Sequence, residues 1–305
     1  MYDVIIIGSG PAGLAAAIYG QRAMLSVLTI EKQPMGGGQV LDTYDVDNYP
    51  GCPGIGGFEL GTKFKDHAAG LGAEIIRDEV IALELNEPVK KVRTKKKEYE
   101  AKTVILATGA KHRMLGVDGE ERLRGMGVSY CATCDGAFFR GKETAVVGGG
   151  DVALEDALFL ARTCSKVYLI HRRNEFRGAK VLQEKVMQTA NIQIIWETVV
   201  ERILGETQVT GLALCNKKTK EHSEISVSGV FVAVGIEPNT ALVDGILELD
   251  EASYIKAGED CTTNIPGVFA AGDLRTKGLR QIITAAADGA NAITSAENYL
   301  NTQNS

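Results

Sequence analysis

The sequence predicts an α/β fold with two nucleotide-binding halves of the doubly wound type. Short apolar, β-branched runs alternate along the chain with longer segments of helical periodicity, which is typical of parallel α/β architecture. A glycine-rich turn that connects a strand to a helix occurs twice, about 140 residues apart. The 305 residues are enough for two domains with their own hydrophobic cores.

Composition and charge exclude several classes of protein. Hydrophobic residues make up 45% of the chain and charged residues 24%, as in a globular protein rather than a disordered chain or a coiled coil. The net charge of −6 gives no general attraction to nucleic acid or anionic lipid, so we expect neither as a partner. The sequence shows no signal-peptide pattern and no apolar window long enough to span a membrane, and its six cysteines are mostly scattered. These features predict a cytoplasmic protein.

Two strand–turn–helix–strand units carry the glycine turns. The first is predicted as a strand over Tyr2–Ile7, a helix ending at about Met24 and a strand over Ser26–Ile30. The second is predicted as a strand over Thr144–Val147, a helix over Val152–Arg162 and a strand over Lys166–Ile170. Between the units, the lysine-rich segment Val89–Tyr99 alternates in hydrophobicity, which predicts a solvated β-hairpin.

The first glycine turn has the chemistry of a dinucleotide site. In the segment Gly8–Gly13, Gly8 permits a tight turn, Gly10 lets the backbone approach a pyrophosphate, and Gly13 allows close packing of helix and strand. Glu31 follows 18 residues later at the end of the second strand, where a carboxylate can accept a hydrogen bond from an unmodified ribose. This combination predicts an ADP-containing cofactor.

The second glycine turn differs in the charge that follows it. The segment Gly148–Ala153 fits the same fingerprint, but its second strand leads into His171, Arg172 and Arg173, with Arg177 a few residues on. Arginines form charge-assisted hydrogen bonds to a 2′-phosphate, so this half is predicted to bind NADP. A chain with two different dinucleotide sites is suited to passing hydride from NADPH to a flavin.

A close pair of cysteines, Cys131 and Cys134, lies just upstream of the second unit. The spacing is compatible with a zinc site, with two structural thiols, or with a redox dithiol; no second ligand pair with zinc spacing accompanies it. A redox dithiol is the favoured interpretation, because helix-start N–H groups can stabilise a thiolate. Asp135 is a candidate acid–base group for the thiol proton. The other cysteines are interpreted as small apolar side chains: Cys52, Cys164, Cys215 and Cys261.

Taken together, these motifs resemble the low-molecular-weight bacterial thioredoxin reductases along essentially the whole chain. The matching segments are Gly8–Gly13, Gly37–Gln39, Asn48–Gly51, Ala107–Gly109, Cys131–Gly136, Gly148–Ala153, His171–Arg177, Gly267–Asp273 and Arg280–Ile282. The position of the cysteine pair, just before the second fingerprint and with two residues between the cysteines, is the feature that distinguishes this family from larger flavoprotein disulfide reductases.

The resemblance implies an NADPH domain, residues 116–241, inserted into an FAD domain of residues 1–115 and 242–305. For FAD it implies the following contacts: Gly8, Gly10, Pro11, Ala12, Gly13, Glu31, Gly38, Gln39, Asn48, Val80, Thr108, Gly109, Gly272, Asp273, Arg280, Gln281 and Ile282. For NADPH it implies these contacts: Gly149, Gly150, Asp151, His171, Arg172, Arg173, Arg177 and Gly235.

The resemblance also implies the activity. NADPH would reduce the flavin, which would open a Cys131–Cys134 disulfide; Cys131 would attack the disulfide of thioredoxin, Cys134 would resolve the mixed disulfide, and Asp135 would protonate the departing thiolate. Hinges near Leu115–Asp118 and Pro238–Leu242 would allow the inserted domain to rotate. A homodimer is expected on the same basis.

Other functions remain open at this point. One is a related flavoenzyme that takes electrons from ferredoxin, which would lack the second fingerprint and the arginines. Another is a flavin-dependent reductase of a small-molecule disulfide. A third, from a different class, is a non-catalytic dinucleotide sensor with a structural cysteine pair.

Overall fold

The computed structural model describes residues 1–42, 46 and 48–303, without the side chains of Asp42 and Cys134. The chain divides into two compact units. The first consists of Met1–Lys111 and Glu237–Ser305, and the second of His112–Ile236. The second unit is therefore inserted into the first, with divisions after residues 111 and 236; the sequence-based boundaries lie after residues 115 and 241.

The elements alternate between strand and helix in the regions that carry the glycine turns. The helices are α1 Pro11–Arg22, α2 Gly57–Gly70, α3 Ala132–Asp135, α4 Asp151–Ala161, α5 Lys180–Gln188 and α6 Ile282–Gln303. The strands are β1 Tyr2–Ile7, β2 Val27–Glu31, β3 Glu74–Arg77, β4 Val80–Glu84, β5 Lys90–Thr94, β6 Glu98–Leu106, β7 Ala110–His112, β8 Val128–Ser129, β9 Glu143–Gly148, β10 Lys166–Ile170, β11 Ile192–Ile195, β12 Thr198–Leu204, β13 Gly211–Asn216, β14 His222–Ser226, β15 Gly229–Ala233, β16 Ile236–Pro238 and β17 Val268–Ala270.

The first unit is organised by a mainly parallel sheet. Its strands follow the order β3-β2-β1-β6-β5-β4, and β17 pairs with β6 in parallel. The segment Val4–Ile7 of β1 is buried throughout, because a parallel strand is covered on both faces. Its neighbours β2 and β6 are both parallel to it. The parallel α/β architecture predicted from the sequence is confirmed.

The first helix ends two residues earlier than predicted. Arg22 is its last residue, and Met24 has a φ of 58° and is 91% exposed. A methionine in the left-handed region cannot continue a right-handed helix, so the chain turns here toward β2.

The long helix α6 packs closely against α1 in the first unit. A Cβ on Gly289 would lie 2.0 Å from the carbonyl oxygen of Ala12, so only glycine permits this approach of the two backbones. The apolar face of α6 joins one core cluster with β1, through Ala292, Ile293 and Ala296. Within the described residues, no helix is both long enough and apolar enough to cross a membrane.

The predicted hairpin between the two glycine units is present as β5 and β6, which pair antiparallel. It was predicted to be solvated, which is correct for Lys95, Lys96 and Lys97 and wrong for Lys90. Lys90 is only 2% exposed, and its ammonium donates a hydrogen bond of 2.7 Å to the carbonyl oxygen of Leu85. Burial lowers the pKa of Lys90, and Val92 beside it belongs to the core. One face of the hairpin is therefore turned to the core of the first unit, while the exposed Lys95, Lys96 and Lys97 lie in the turn between its strands.

The second unit contains a parallel sheet and a separate antiparallel one. The parallel strands follow the order β11-β10-β9-β15-β8, and α4 covers one face through Ala153, Leu154 and Ala157. The antiparallel strands follow the order β12-β13-β14. The helix after the second glycine turn begins at Asp151, one residue earlier than predicted, and the strand Lys166–Ile170 has the predicted bounds.

The close contact between α6 and α1 predicts a large penalty for a single methyl group. Gly289→Ala should lower the free energy of unfolding by about 1–3 kcal/mol, because the backbone of Ala12 cannot move aside as a side chain can. Thermal unfolding of the holoenzyme measures this effect. Gly70→Ala at the end of α2 is the matched control, since its Cβ would meet nothing within 4 Å and should leave the melting temperature unchanged or slightly higher. Equal melting temperatures for the two variants would contradict the prediction.

Candidate active site

The first glycine turn brings three backbone segments into close contact. A Cβ on Gly8, whose φ is +104°, would lie 2.4 Å from the carbonyl oxygen of Ala107. A Cβ on Gly13 would lie 1.9 Å from the carbonyl oxygen of Gly8. The turn then enters α1 with Pro11 in its first turn, where the absent N–H of proline costs nothing. The free N–H groups at the start of α1 are thus available to an anion, as the motif predicts.

Glu31 stabilises this turn directly. One oxygen of its carboxylate accepts hydrogen bonds of 2.8 Å from both the backbone N–H and the hydroxyl of Ser9, and the other accepts one of 2.7 Å from the N–H of Gln33. Each carboxylate oxygen has more than one acceptor position, so Glu31 retains capacity for a ribose hydroxyl. The predicted ribose-binding residue therefore also holds the turn in shape.

A cavity of about 1330 Å³ opens beside the first turn, within the first unit. With the exception of Gly13, which packs behind Gly8, the predicted FAD contacts all line it. They are Gly8, Gly10, Pro11, Ala12, Glu31, Gly38, Gln39, Asn48, Val80, Thr108, Gly109, Gly272, Asp273, Arg280, Gln281 and Ile282. The structure thus brings together residues from eight separate stretches of the sequence.

Several of these polar side chains are oriented by hydrogen bonds. The amide of Asn48 donates to the side-chain oxygen of Gln281 over 3.0 Å, and the amide of Gln39 donates to the carbonyl oxygen of Ala110. Thr108 and Asn239 bond each other reciprocally: the Thr108 hydroxyl donates to the Asn239 carbonyl, and the Asn239 amide donates to the Thr108 carbonyl. Asn239 was not predicted as a cavity residue, because its contact with Thr108 joins positions 131 residues apart.

Two polar atoms in the cavity have no hydrogen-bond partner among the described residues, although both are buried. They are Oδ1 of Asp273 and Nε of Arg280. The nearest cation to Asp273, the ammonium of Lys277, is 3.8 Å from Oδ1, too far for a hydrogen bond. Burial raises the pKa of the Asp273 carboxyl. Unpartnered buried donors and acceptors need a partner, and the hydroxyls and phosphates of a dinucleotide can supply it. The cavity therefore fits FAD.

The wall of the cavity beside Asp273 depends on a buried carboxylate that the sequence analysis did not identify. Asp288 of α6 accepts a hydrogen bond of 2.9 Å from the N–H of Gly272. Arg275 binds both of its oxygens, at 2.6 and 2.9 Å, and the ammonium of Lys277 donates at 2.9 Å. Burial raises the pKa of Asp288, but these hydrogen bonds lower it by more, so the pKa lies below its ordinary value.

The second glycine turn is equally tight but differently supported. A Cβ on Gly149 would lie 2.2 Å from the ring of His171. The carbonyl oxygen of Gly149 accepts from the N–H of Arg177 over 2.8 Å, and the carboxylate of Asp151 accepts from the N–H of Ala179 over 2.6 Å. Asp151 therefore anchors the loop that follows β10.

The charged residues predicted to hold NADPH separate into two groups. Arg172, Arg173 and Arg177 are exposed on this loop, as a phosphate-binding set must be. His171 is instead buried beneath Gly149 and packs against Phe176; burial lowers the pKa of its imidazole. The remaining predicted contacts, Gly150 and Gly235, follow β9 and β15, which are neighbouring strands in the sheet.

The cysteine motif lies at the start of α3 in the second unit. Cys131 is half-buried and disulfide-bonded, and its Sγ lies 3.3 Å from the hydroxyl of Thr133. The backbone N–H of Cys131 donates to the hydroxyl of Ser129 over 3.1 Å. Asp135 is half-buried at the end of α3. The side chain of Cys134 lies outside the described residues.

Glu120 supports the residue that precedes the motif. Its buried carboxylate accepts from the hydroxyl of Tyr130 over 2.8 Å, and from the N–H groups of Leu115 and Gly116 over 2.9 and 2.7 Å. Burial and the neighbouring carboxylate raise the pKa of Tyr130. No sequence signal identified Glu120, because an acidic residue in a loop is usually solvated.

Comparison with known proteins decides the family. The model of the pyridine nucleotide-disulphide oxidoreductase family matches residues 2–289. The chain belongs to this family. Members with high similarity include a thioredoxin reductase of Peptoclostridium litorale, 45% identical over 307 residues, with 98% of this chain and 97% of the relative covered. A thioredoxin reductase of Mycolicibacterium smegmatis is 47% identical over 302 residues, with coverages of 98% and 97%. The solved structure of thioredoxin reductase from Lactococcus lactis is similar with a TM-score of 0.86 at 41% identity, covering 99% of this chain and 100% of that one.

Membership of the pyridine nucleotide-disulphide oxidoreductases confirms the resemblance drawn from the motifs and the predicted fold class. The protein is an oxidoreductase with FAD and NADPH as cofactors, as predicted from the two unlike dinucleotide fingerprints. The loop after β10 that carries Arg172, Arg173 and Arg177 is called the arginine loop below. The cavity in the first unit and the arginine loop in the second provide chemically different surroundings for these two molecules.

A carboxyl on α4 of the second unit predicts a measurable pH dependence of stability. Burial, reinforced by the neighbouring Glu155, raises the pKa of Asp156 to about 7. The folded state therefore binds this proton more tightly than the unfolded chain, and the folded state loses stability as the pH rises from about 4 to about 7. Asp156→Asn should remove that loss and raise the melting temperature by a few degrees at pH 8, with a much smaller effect near pH 4.5.

Thermal melts of the holoenzyme between pH 4.5 and 8 measure the slope. Asp66→Asn, an exposed position on α2, is the control and should change the melting temperature little at either pH. A constant difference between Asp156→Asn and the unchanged protein across this range would show that Asp156 does not titrate as described.

Proposed function

We propose that this protein is a thioredoxin reductase: it uses NADPH to reduce the disulfide of thioredoxin, through FAD and the pair Cys131 and Cys134. The observation that carries the proposal is the disulfide-bonded Cys131, which begins a Cys-x-x-Cys motif at the start of α3. A disulfide at this position, in a chain that also has an FAD cavity and a second dinucleotide turn, has the parts of an electron-transfer sequence. Relatives named thioredoxin reductase align with nearly the whole chain and support the choice of substrate.

In this proposal FAD occupies the cavity of the first unit. The start of α1 and Gly10 face its pyrophosphate, Glu31 binds its ribose, and Asp273 and Arg280 supply the polar atoms that lack partners within the protein. When bound, FAD supplies the chemistry that converts a two-electron hydride donor into a reductant of a disulfide. The FAD domain is proposed as residues 1–115 and 242–305, and the NADPH domain as residues 116–241.

The arginine loop gives the preference for NADPH. Arg172 and Arg173 are exposed beside the second glycine turn, where their guanidinium groups can make charge-assisted hydrogen bonds to a 2′-phosphate. The turn itself, through Gly149 and Gly150, lets the backbone approach the pyrophosphate. A ferredoxin-dependent enzyme has no use for these features, so their presence favours NADPH as the electron donor.

The cysteine pair carries out the exchange with thioredoxin. Two electrons reduce the disulfide to a dithiol, and the thiolate of Cys131 attacks one sulfur of the thioredoxin disulfide. The hydroxyl of Thr133, 3.3 Å from Sγ, can donate a hydrogen bond to that thiolate. Cys134 then attacks Cys131 in the mixed disulfide, which restores the internal disulfide, and Asp135 donates a proton to the departing thiolate. The net reaction converts NADPH, a proton and one disulfide into NADP⁺ and one dithiol.

A protein substrate is favoured over a small-molecule disulfide by the surface beside the motif. Phe138 lies three residues after the end of α3 and is 73% exposed. A large exposed aromatic side chain next to a redox-active cysteine is typical of a surface that docks another protein.

The proposal places this reaction in the cytoplasm and includes the homodimer that the resemblance implies.

The proposal predicts the electron capacity of the protein. In an anaerobic titration followed by the visible absorbance of the flavin, the holoenzyme should take up about two equivalents of NADPH, one for the flavin and one for the disulfide. Cys134→Ser should take up about one, and its turnover with thioredoxin should fall on the order of 10³-fold or more. Cys52→Ser, a free and half-buried thiol in the first unit, should keep both values.

An uptake of one equivalent by the unchanged protein would leave a flavoprotein whose cysteines do not exchange electrons, and the proposed function would be wrong. Bleaching by dithionite but not by NADPH would instead support the ferredoxin-dependent alternative.

The arginine loop makes a second, independent prediction. Replacing Arg172 and Arg173 together by alanine should raise the KM for NADPH about 10–100-fold, because charge-assisted hydrogen bonds to the 2′-phosphate are lost. The KM for NADH, which lacks that phosphate, should change little. Steady-state kinetics with both nucleotides measure the effect, and Arg162→Ala at the exposed end of α4 is the control. An equal increase for both nucleotides would exclude these arginines as the phosphate-binding residues.

A further inference from the structure

The antiparallel sheet of the second unit gathers a thiol, an imidazole and a carboxylate on one face. Its middle strand β13 carries Cys215, a free and half-buried cysteine. Directly opposite on β14 is His222, with which Cys215 pairs in the sheet register. Paired residues of antiparallel strands project on the same side, so the sulfur and the ring are neighbours.

A shift in the pairing of β12, the other neighbour of β13, brings a carboxylate to the same face of the sheet. The pairing of β12 with β13 shifts between Val200 and Arg202, so Glu201 is an extra residue, as in a β-bulge. Val200 and Ile203 remain in the core, while Glu201 and Arg202 are both exposed. The bulge therefore turns Glu201 out onto the face where Cys215 lies. Bulges of this kind often aim a side chain at a functional site.

The side chains of Glu201 and His222 meet across β13, the strand that carries Cys215. Nδ1 of His222 lies 2.9 Å from Oε2 of Glu201, although the two residues belong to strands on opposite sides of β13. One ligand atom from each of Cys215, His222 and Glu201 lies within 4.8 Å of the other two. A tetrahedral zinc ion with bonds of about 2.0–2.3 Å separates its ligand atoms by roughly 3.3–3.6 Å, so small side-chain adjustments close the site.

From this geometry we propose that Glu201, Cys215 and His222 form a binding site for a zinc-like divalent transition-metal ion, distinct from the redox cysteines. Thiolate, imidazole and carboxylate are the three side-chain ligands that zinc uses, whereas calcium and magnesium prefer oxygen alone. A thiolate and a carboxylate together neutralise a divalent ion. An exposed ion pair between His222 and Glu201 alone would contribute little, and it does not account for the placement of the sulfur between them.

Binding at this site exchanges a proton for the metal. The S–H bond of Cys215 breaks as the sulfur–metal bond forms, and the proton passes to the buffer. The oxidation state of the sulfur and of the metal does not change. The cluster is exposed at Glu201 and His222, so water occupies the fourth coordination position and the ion exchanges with solution.

The test uses the oxidised holoenzyme, in which Cys131 is disulfide-bonded and unavailable as a ligand. Isothermal titration with zinc chloride should show one ion per chain, with release of about one proton when the heats in two buffers are compared. Cys215→Ser and His222→Ala should each weaken binding about tenfold or more, and Glu201→Gln should weaken it in the same direction. Titration with cadmium should produce a thiolate charge-transfer band in the ultraviolet that Cys215→Ser abolishes.

Matched controls make the result specific. Cys52→Ser removes another half-buried free thiol and His67→Ala another exposed histidine, and both variants should keep the affinity for zinc. Zinc should also protect Cys215, but not Cys52, from alkylation, as peptide mass spectrometry measures. Zinc binding that survives both Cys215→Ser and His222→Ala, or an absence of binding to the folded holoenzyme, would overturn the proposal. Turnover with NADPH is expected to be the same in Cys215→Ser and in the unchanged protein.

Discussion

Asp288 carries a negative charge in the interior of the first unit, and its neutralisation is a condition for the shape of the FAD cavity. Arg275 and Lys277 approach it from the loop that follows β17, and the N–H of Gly272 approaches from the end of that strand. Removing one partner from a buried charge pair costs about 3–5 kcal/mol, since the remaining charge is left without compensation. The carboxylate belongs to α6, so two adjacent residues of this helix connect it to its surroundings: Asp288 binds the cavity wall, and Gly289 packs against α1. The position of Asp273, two residues from Arg275, follows from this arrangement.

Residues that the motifs predict as ligand contacts also stabilise the fold. Glu31 accepts hydrogen bonds from Ser9 and Gln33, and Asp151 accepts one from Ala179. His171 fills the space beneath Gly149, where a larger residue than glycine has no room. The backbone N–H groups of these turns need acceptors, and the carboxylates of Glu31 and Asp151 provide them. Substitutions at such positions therefore change the shape of the site as well as its chemistry.

The features predicted correctly from the sequence are those encoded by neighbouring residues. Both glycine turns, the strands beside them and the hairpin of β5 and β6 have local patterns of glycine placement and hydrophobic period. The missed features depend on contacts between distant positions. Lys90 is an exception, since it lies in a lysine-rich segment and is nevertheless buried, with a hydrogen bond to the carbonyl of Leu85 only five residues away. Asn239 and Thr108, like Asp288 and Arg275, meet only in the folded chain. The approach of Glu201 to Cys215 was not predicted either, because the bulge that brings them together has no sequence signature.

Hydrogen bonds from backbone N–H groups fix the conformation of the loop after β10, and the arginine side chains do not take part in them. Gly149 and Asp151 bind the N–H groups of Arg177 and Ala179, whereas the guanidinium groups of Arg172 and Arg173 extend into solvent. The frame of the loop and the charge displayed on it are thus separate properties. For protein engineering this means that the electrostatic character of the loop can be inverted by side-chain substitution while the backbone scaffold is retained. An acidic residue at position 172 or 173 would change the charge that the loop presents to solvent and leave its hydrogen-bonded backbone in place.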